Sequence, residues 1–243
     1  ATLALLPCAG GLDLAQKIDL ASLVVVFRHR IASVLDVEVK TEAEDGAAVS
    51  QQMQLNYRIT AVPFFWIPEE TMRQREKDDG VPYSDWVRLG LVTPTDGFTI
   101  DYDQIYRDIT TKIVKRFPRL KQGGIGYDPA FATDIASTLR DKAGFKVAEI
   151  LQGYKYLNEP CHVLEALIKA KRVSHGAHRV LRNHIEHVAV KTDDAGRIRP
   201  VRPKKAGKHI DGVVGLLEGL AMLAGVPDRH QGTVGGFVIN RRH

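Results

Sequence analysis

The stretch Gly124-Ile125-Gly126-Tyr127-Asp128-Pro129 reads as the end of a β-strand running straight into a helix. Asp128 sits at the junction, where its short carboxylate suits the cap of the helix beginning after Pro129. Downstream, Ala132 to Lys142 has the spacing of an amphipathic helix, and Lys146 to Ile150 reads as the next strand. Pro160 to Ala170 follows as a helix with Pro160 near its first turn. Gly176 to Val190 mixes helix and strand signals, and Asp194-Ala195-Gly196 turns the chain. Ile210 to Leu223 is apolar nearly all round and is expected to be a buried helix. The second half thus alternates strand and helix.

The first half is richer in strands. Leu12 to Leu14 is a short apolar piece interrupted by Asp13, and Ala21 to Arg28 reads as a strand. Gln16 to Asp19 suits a tight connection between them, as in the opening hairpin of an antiparallel edge. Ile31 to Val39 is a further strand candidate, and Glu42 to Ser50 a loop. Tyr57 to Ile67 is strongly apolar, a core strand that Pro63 demotes to an edge or a bend. Pro68, Glu69 and Glu70 open a helix that Asp79-Gly80 ends, and Tyr83 to Arg88 forms another. Leu91 to Thr93 and Phe98 to Ile100 flank Thr95-Asp96-Gly97 as a hairpin. Asp101 then caps a helix whose apolar face holds Ile105, Ile109, Ile113 and Phe117.

With 243 residues, 44% of them hydrophobic and 26% charged, the chain has the composition of an ordinary globular protein. Its apolar runs are too short to span a bilayer, and the first eleven residues lack the basic leader of a signal peptide. Cys8 and Cys161 are expected to be free thiols. The net charge of +5 is unevenly spread. Arg197, Arg199, Arg202, Lys204, Lys205 and Lys208 lie between Gly196 and His209 with no acid among them, a loop suited to phosphates or simply to solvent. Asp36 to Asp45 is acidic and is expected to face solvent away from any nucleic acid.

Hydrolysis of a phosphodiester with metal help needs several carboxylates gathered at the ends of rigid elements. Asp13 in Gly-Leu-Asp-Leu, Asp128 at its strand end and Asp211 in His-Ile-Asp-Gly meet that description. Each also has an ordinary reading: Asp13 as a turn residue, Asp128 and Asp211 as helix caps. Spacing alone does not bring them together.

Gly11-Leu12-Asp13-Leu14 with Asp19-Leu20-Ala21 resembles the opening of the C-terminal nuclease domain of tailed-phage terminase large subunits. The resemblance continues in order through Phe64-Phe65-Trp66-Ile67-Pro68-Glu69-Glu70 and Trp86 to Gly90. Thr93-Pro94-Thr95-Asp96-Gly97, Ile100-Asp101-Tyr102, Tyr127-Asp128-Pro129 and Pro203-Lys204 through Ile210-Asp211-Gly212 complete it. It implies an α/β, ribonuclease H-like fold with a mixed central sheet flanked by helices. Residues 11–225 would form that domain, with 1–10 as a lead-in and 226–243 as a tail. It further implies a two-metal endonuclease, using Mg²⁺ or Mn²⁺, that cuts double-stranded viral concatemers during packaging. Asp13, Asp128 and Asp211 would be the metal ligands and Asp19 an accessory acid. Lys204 and Lys205 would lie near the acids as phosphate contacts.

The implied partners are double-stranded DNA, the portal protein and the terminase small subunit, met in the host cytoplasm and transiently at the procapsid portal. ATP would enter only through a motor domain: no Gly-x-x-x-x-Gly-Lys-Ser/Thr occurs here, and the chain starts at Ala1 rather than Met, as a fragment of a longer protein would. The segment from Asp36 to Asn56 is longer than the resemblance leads one to expect and reads as an insertion.

His209, two residues before Asp211, is either a loop histidine facing solvent or placed to reach substrate or a metal-bound water. His175, His178, His184 and His187 lack the spacing of a zinc site, and His178 or Arg182 is a candidate contact to the DNA backbone. Trp66, Phe64 and Phe65 read as core rather than as stacking surfaces. Two other functions remain open at this point: a DNA-binding or portal-docking module in which the acids are structural, and another ribonuclease H-like enzyme such as a resolvase or transposase.

Overall fold

The computed structural model describes residues 2–14, 20–43, 46–203 and 208–225. Strand β1 (Cys8–Asp13) is followed by two long strands, β2 (Ala21–Glu42) and β3 (Ala48–Pro68), which form one extended antiparallel hairpin. Helices α1 (Glu69–Asp79) and α2 (Tyr83–Arg88) lead to the short β4 (Thr93–Thr95). Next come α3 (Tyr102–Arg107), a π-helical turn (Asp108–Ile113), α4 (Val114–Arg116) and α5 (Leu120–Gly123). The second half runs β5 (Ile125–Tyr127), α6 (Pro129–Ala143), β6 (Val147–Glu149), α7 (Tyr154–Lys169), β7 (Val173–Ser174) and α8 (Arg179–His187). A small hairpin, β8 (Ala189–Thr192) with β9 (Ile198–Val201), precedes α9 (Asp211–Ala224).

The strands form a sheet of order β4-β3-β2-β1-β5-β6, with β7 also against β3. The β1–β2 and β2–β3 pairs are antiparallel, while β5, β6, β4 and β7 join in parallel. This mixed sheet between helices is the expected ribonuclease H-like α/β arrangement. Its two faces carry separate apolar cores. One gathers Val24, Val26, Phe65 and Ile67 under α7, α8 and α9; the other gathers Leu12, Leu23, Val25 and Phe27 under the helices from α3 to α6.

Several expectations need correcting. β1 is not an edge strand: β2 and β5 flank it, and it begins at Cys8, before residue 11. Phe98 to Ile100 forms no strand; β4 instead pairs with β3, a parallel contact that leaves no hairpin partner to recognise. Pro160 lies well inside α7, which starts at Tyr154. The stretch from Asp36 to Asn56 is the far half of the β2–β3 hairpin, and Val37, Val39 and Leu55 tie it into the core. Asn158 of α7 braces it, donating to the Lys40 carbonyl at 2.6 Å and accepting from the Ile198 amide at 2.8 Å. Within the basic segment Ile198–Val201 form strand β9, and Arg197 is occupied by Asp193 at 2.7 Å and by Glu42. Asp19, Lys204, Lys205 and the tail 226–243 lie outside the described residues.

β3 is not the edge strand that Pro63 suggested: it lies between β2 and β4. Pro63 is in register with Val24 of β2, while on its other side it falls in the gap between the stretches that bind β7 and β4. Other local readings hold. Trp66 is core, and its indole donates to the buried Asp108 carboxylate at 2.9 Å. Asp101 caps α3, accepting from the Gln104 amide at 2.9 Å.

Glycine sets the distance between α9 and β1. A Cβ on Gly11 would stand 2.0 Å from the Gly215 carbonyl oxygen and 2.5 Å from the Gly219 nitrogen, so helix and strand meet backbone to backbone. Replacing Gly11 with alanine is expected to destabilise the protein by about 3 kcal/mol or more, because neither backbone can yield locally. Gly153→Ala, where an added methyl meets nothing within 4 Å, should stay within about 0.5 kcal/mol of wild type. Urea unfolding midpoints of the two variants measure the difference.

Candidate active site

Side chains alternate across a strand, so Ala9, Gly11 and Asp13 share the face of β1 that meets α9, and Leu12 points to the opposite core. The parallel register sets Leu12 beside Tyr127. One residue on, Asp13 ends β1 and Asp128 leaves β5, on strands about 4.8 Å apart. α9 lies across β1 and opens with Asp211. The three aspartates read from the sequence are therefore brought to one end of the sheet.

Their environments differ. Asp128 is half-buried and does two jobs: Oδ1 caps α6 by accepting from the Ala130 amide at 3.1 Å, and its charge acts on Asp13. Asp13 is buried, and its carboxyl is pushed well above the usual carboxylate range by burial first, then by the charges of Asp211 and Asp128. The Gln152 amide, donating to Asp13 Oδ1 at 3.3 Å, opposes this only weakly. Asp211 moves the other way. Burial raises its carboxyl, but His209 and His184 together outweigh that and hold it below the ordinary value. Burial and the neighbouring charges thus push the carboxyls of Asp13 and Asp211 in opposite directions.

His209 is neither a surface histidine nor directed at solvent; it is 1% exposed. Its Nε2 meets Asp79 Oδ2 at 3.0 Å and its Nδ1 stands 3.7 Å from Asp211 Oδ2, an ion-pair distance longer than a hydrogen bond. Asp79 is fixed by Arg75 at 3.1 Å and by the Tyr83 hydroxyl, which donates at 2.9 Å. Burial lowers the His209 pKa, but Asp211 and Asp79 more than compensate and raise it. The end of α1 and the start of α2 therefore hold the His209 ring against Asp211.

Two further residues bear on the site: His184, which the sequence reading weighed only as a rejected zinc ligand, and Glu218, which it passed over. His184 is buried, and its Nδ1 accepts the Gly212 amide at 2.9 Å, which satisfies a free N–H in the first turn of α9. With the Ser22 hydroxyl donating to the Asp211 carbonyl at 3.0 Å, this fixes the head of the helix. Glu218, two turns along α9, is fully buried, and neither carboxylate oxygen has a hydrogen-bond partner among the described residues. Burial first, then the charges of Asp13 and Asp128, raise the Glu218 carboxyl well above the usual carboxylate range. A buried glutamate in an otherwise apolar helix was the available signal. His178 caps α8 and lies against the Phe65 ring, with a centroid separation of 5.6 Å.

The donor set is hard oxygen, the chemistry that divalent Mg²⁺ or Mn²⁺ selects, and the unpartnered oxygens of Glu218 and Asp211 are what such a cation would satisfy. Among the described residues no three His, Cys, Asp or Glu groups already stand in ligating positions, so side-chain adjustment would accompany binding. A cavity of about 630 Å³ lies elsewhere, between the outer edge of β3 and residues 174–179, and none of these acids lines it.

Comparison with known proteins gives a consistent result. The sequence model of the family described as "Terminase large subunit, endonuclease domain" matches residues 41–224. The terminase large subunit of Enterobacteria phage HK97 is 30% identical over 230 residues, covering 94% of this chain and 40% of the relative. Protein YmfN of Escherichia coli (strain K12) is 28% identical over 227 residues, covering 89% of the chain and 44% of the relative. The crystal structure of the HK97 large terminase superposes with a TM-score of 0.69 at 30% identity, over 89% of this chain and 39% of that one. The chain thus spans about two fifths of the length of the relatives it matches.

His184 provides a pH test of how the head of α9 is held. Burial lowers its pKa from 6.5 to about 4, so the fold requires the neutral ring. Its contribution is complete above pH 6.5 and is lost as pH falls toward 4, with a slope of up to about 1.4 kcal/mol per pH unit. His184→Asn retains an acceptor for the Gly212 amide but cannot titrate. The stability gap between wild type and this variant, from urea unfolding, should therefore narrow between pH 7 and pH 5.

Proposed function

Because this chain belongs to the endonuclease-domain family of terminase large subunits, we propose that it hydrolyses double-stranded viral concatemer DNA during genome packaging, with a divalent-metal site built on Asp13, Asp128 and Asp211. The observation that carries the proposal is the placement of Asp13 and Asp128 side by side at the ends of adjacent parallel strands, with Asp211 brought over them by α9. When bound, a pair of Mg²⁺ or Mn²⁺ ions supplies an activated water and a counter-charge for the departing 3′ oxygen.

The protein's own residues prepare the site. Asp13, Asp128 and Asp211 hold the cations. His209, backed by Asp79, keeps Asp211 ionised and oriented. Asp19 is proposed as an accessory acid, and Lys204 and Lys205 as phosphate contacts that would anchor the DNA backbone. The rest of the protein would carry the ATP-driven motor and meet the portal and the small subunit, in the host cytoplasm and at the procapsid. Among the described residues no helix is long and apolar enough to cross a membrane. Similarity to the HK97 large terminase favours this function over a resolvase.

Asp13→Asn, Asp128→Asn and Asp211→Asn should each reduce Mn²⁺-dependent cleavage of supercoiled plasmid to background while leaving the circular dichroism spectrum unchanged. Undiminished cleavage by the triple variant would contradict the proposal and leave the acids a structural role.

A further inference from the structure

Glu218 is the only charged residue between Gly212 and Ala224 of an otherwise apolar helix. It is 0% exposed, and neither Oε1 nor Oε2 has a hydrogen-bond partner among the described residues. A carboxyl group buried without partners is costly, and methionine or leucine would fill the same space without that cost. A purely structural role thus leaves its retention unexplained.

Its position supplies a reason. α9 runs against β1 and β5 so that Glu218 lies level with Gly11 and Gly126: a Cβ on Gly11 would stand 2.7 Å from the Glu218 Cβ, and one on Gly126 3.1 Å from its carbonyl oxygen. Asp13 is two residues beyond Gly11 and Asp128 two beyond Gly126, toward the same strand ends. Helical side chains lean toward the helix N-terminus, which here is the end bearing Asp211. The Glu218 carboxyl is therefore carried upward between the strands toward Asp13 and Asp128, and both act on it electrostatically.

We propose that Glu218 is a fourth carboxylate ligand of the divalent-metal site, reaching the cation from inside the protein beneath Asp13 and Asp128. This rests on the metal-site reading given above. A cation there would partner both orphaned oxygens at once, and its charge would offset the repulsion among the four acids. The ligand is buried on a rigid helix that glycine packing fixes to the sheet, so it presents the same geometry whether or not DNA is bound.

The test uses Mn²⁺ alone, without DNA, and the chain in wild-type, Asp13→Asn, Glu218→Gln and Glu218→Met forms. Free Mn²⁺ is followed by electron paramagnetic resonance, and thermal unfolding is recorded with and without the ion. The proposal expects both Glu218 variants to match or exceed the wild-type midpoint in metal-free buffer, since each removes a buried acid. Both should also bind Mn²⁺ roughly 10-fold or more weakly and lose most of its stabilising effect. Wild-type Mn²⁺ affinity in both variants, with Asp13→Asn binding none, would overturn the proposal and leave the metal-site reading intact. Failure of the wild type to bind Mn²⁺ would overturn both. Loss of the folded state in both Glu218 variants would mark Glu218 as structural and also overturn the proposal.

Discussion

Contact between the backbones of α9 and β1 is the constraint on which the site depends. Gly11, Gly215 and Gly219 let helix and strand approach more closely than any side chain would permit. Gly126 provides similar room on β5, where an added Cβ would stand 2.8 Å from Met222 Cγ. At an ordinary helix-to-sheet distance Asp211 would hang away from the strand ends. Gly212 extends the same logic to the head of α9, where a Cβ would meet the Phe65 ring at 2.8 Å. These contacts are steric and short-ranged, but their product is electrostatic: acids from three distant parts of the chain share one poorly solvated space.

Concentrated negative charge of this kind has to be managed when no cation is present. The protein divides the task. Asp13, the most crowded of the three aspartates, is driven toward its protonated form by burial and by its neighbours. The Asp211 carboxyl is held below its ordinary value by His209 facing it, and the His209 pKa is raised in turn by Asp211 and by the half-buried Asp79 on the far side. The relay from Arg75 and Tyr83 through Asp79 and His209 to Asp211 makes helices α1 and α2 part of the site, although they contribute no ligand. Gln152, following β6, adds a weak hydrogen bond to Asp13 from the opposite flank.

Much of this was legible in the amino-acid sequence, for reasons that separate local from long-range physics. Asp128-Pro129 announces a strand-to-helix junction because capping and the proline ring act within a few residues, and α6 starts there. α9 was visible as a continuous apolar run. Strand pairing was less visible: β4 is three residues long and pairs in parallel with a distant strand, so Thr95-Asp96-Gly97 looked like a hairpin turn. The roles of His209 and His184 depend on Asp79, Phe65 and Gly212, all remote in sequence or hidden in the fold. Glu218 was present in plain view, but its meaning depends on knowing that Gly11 and Gly126 lie opposite. Gly215 and Gly219 lie within the stretch read as a helix, and only the packed structure shows them, with Gly11, as spacers.

The most direct test of the central claim, that these acids form one cation site at the end of the sheet, is anomalous diffraction from crystals of the protein soaked in Mn²⁺. The account predicts manganese density bounded by the carboxylates of Asp13, Asp128 and Asp211. Manganese found only at surface positions, with those three carboxylates unshifted and unligated, would contradict it.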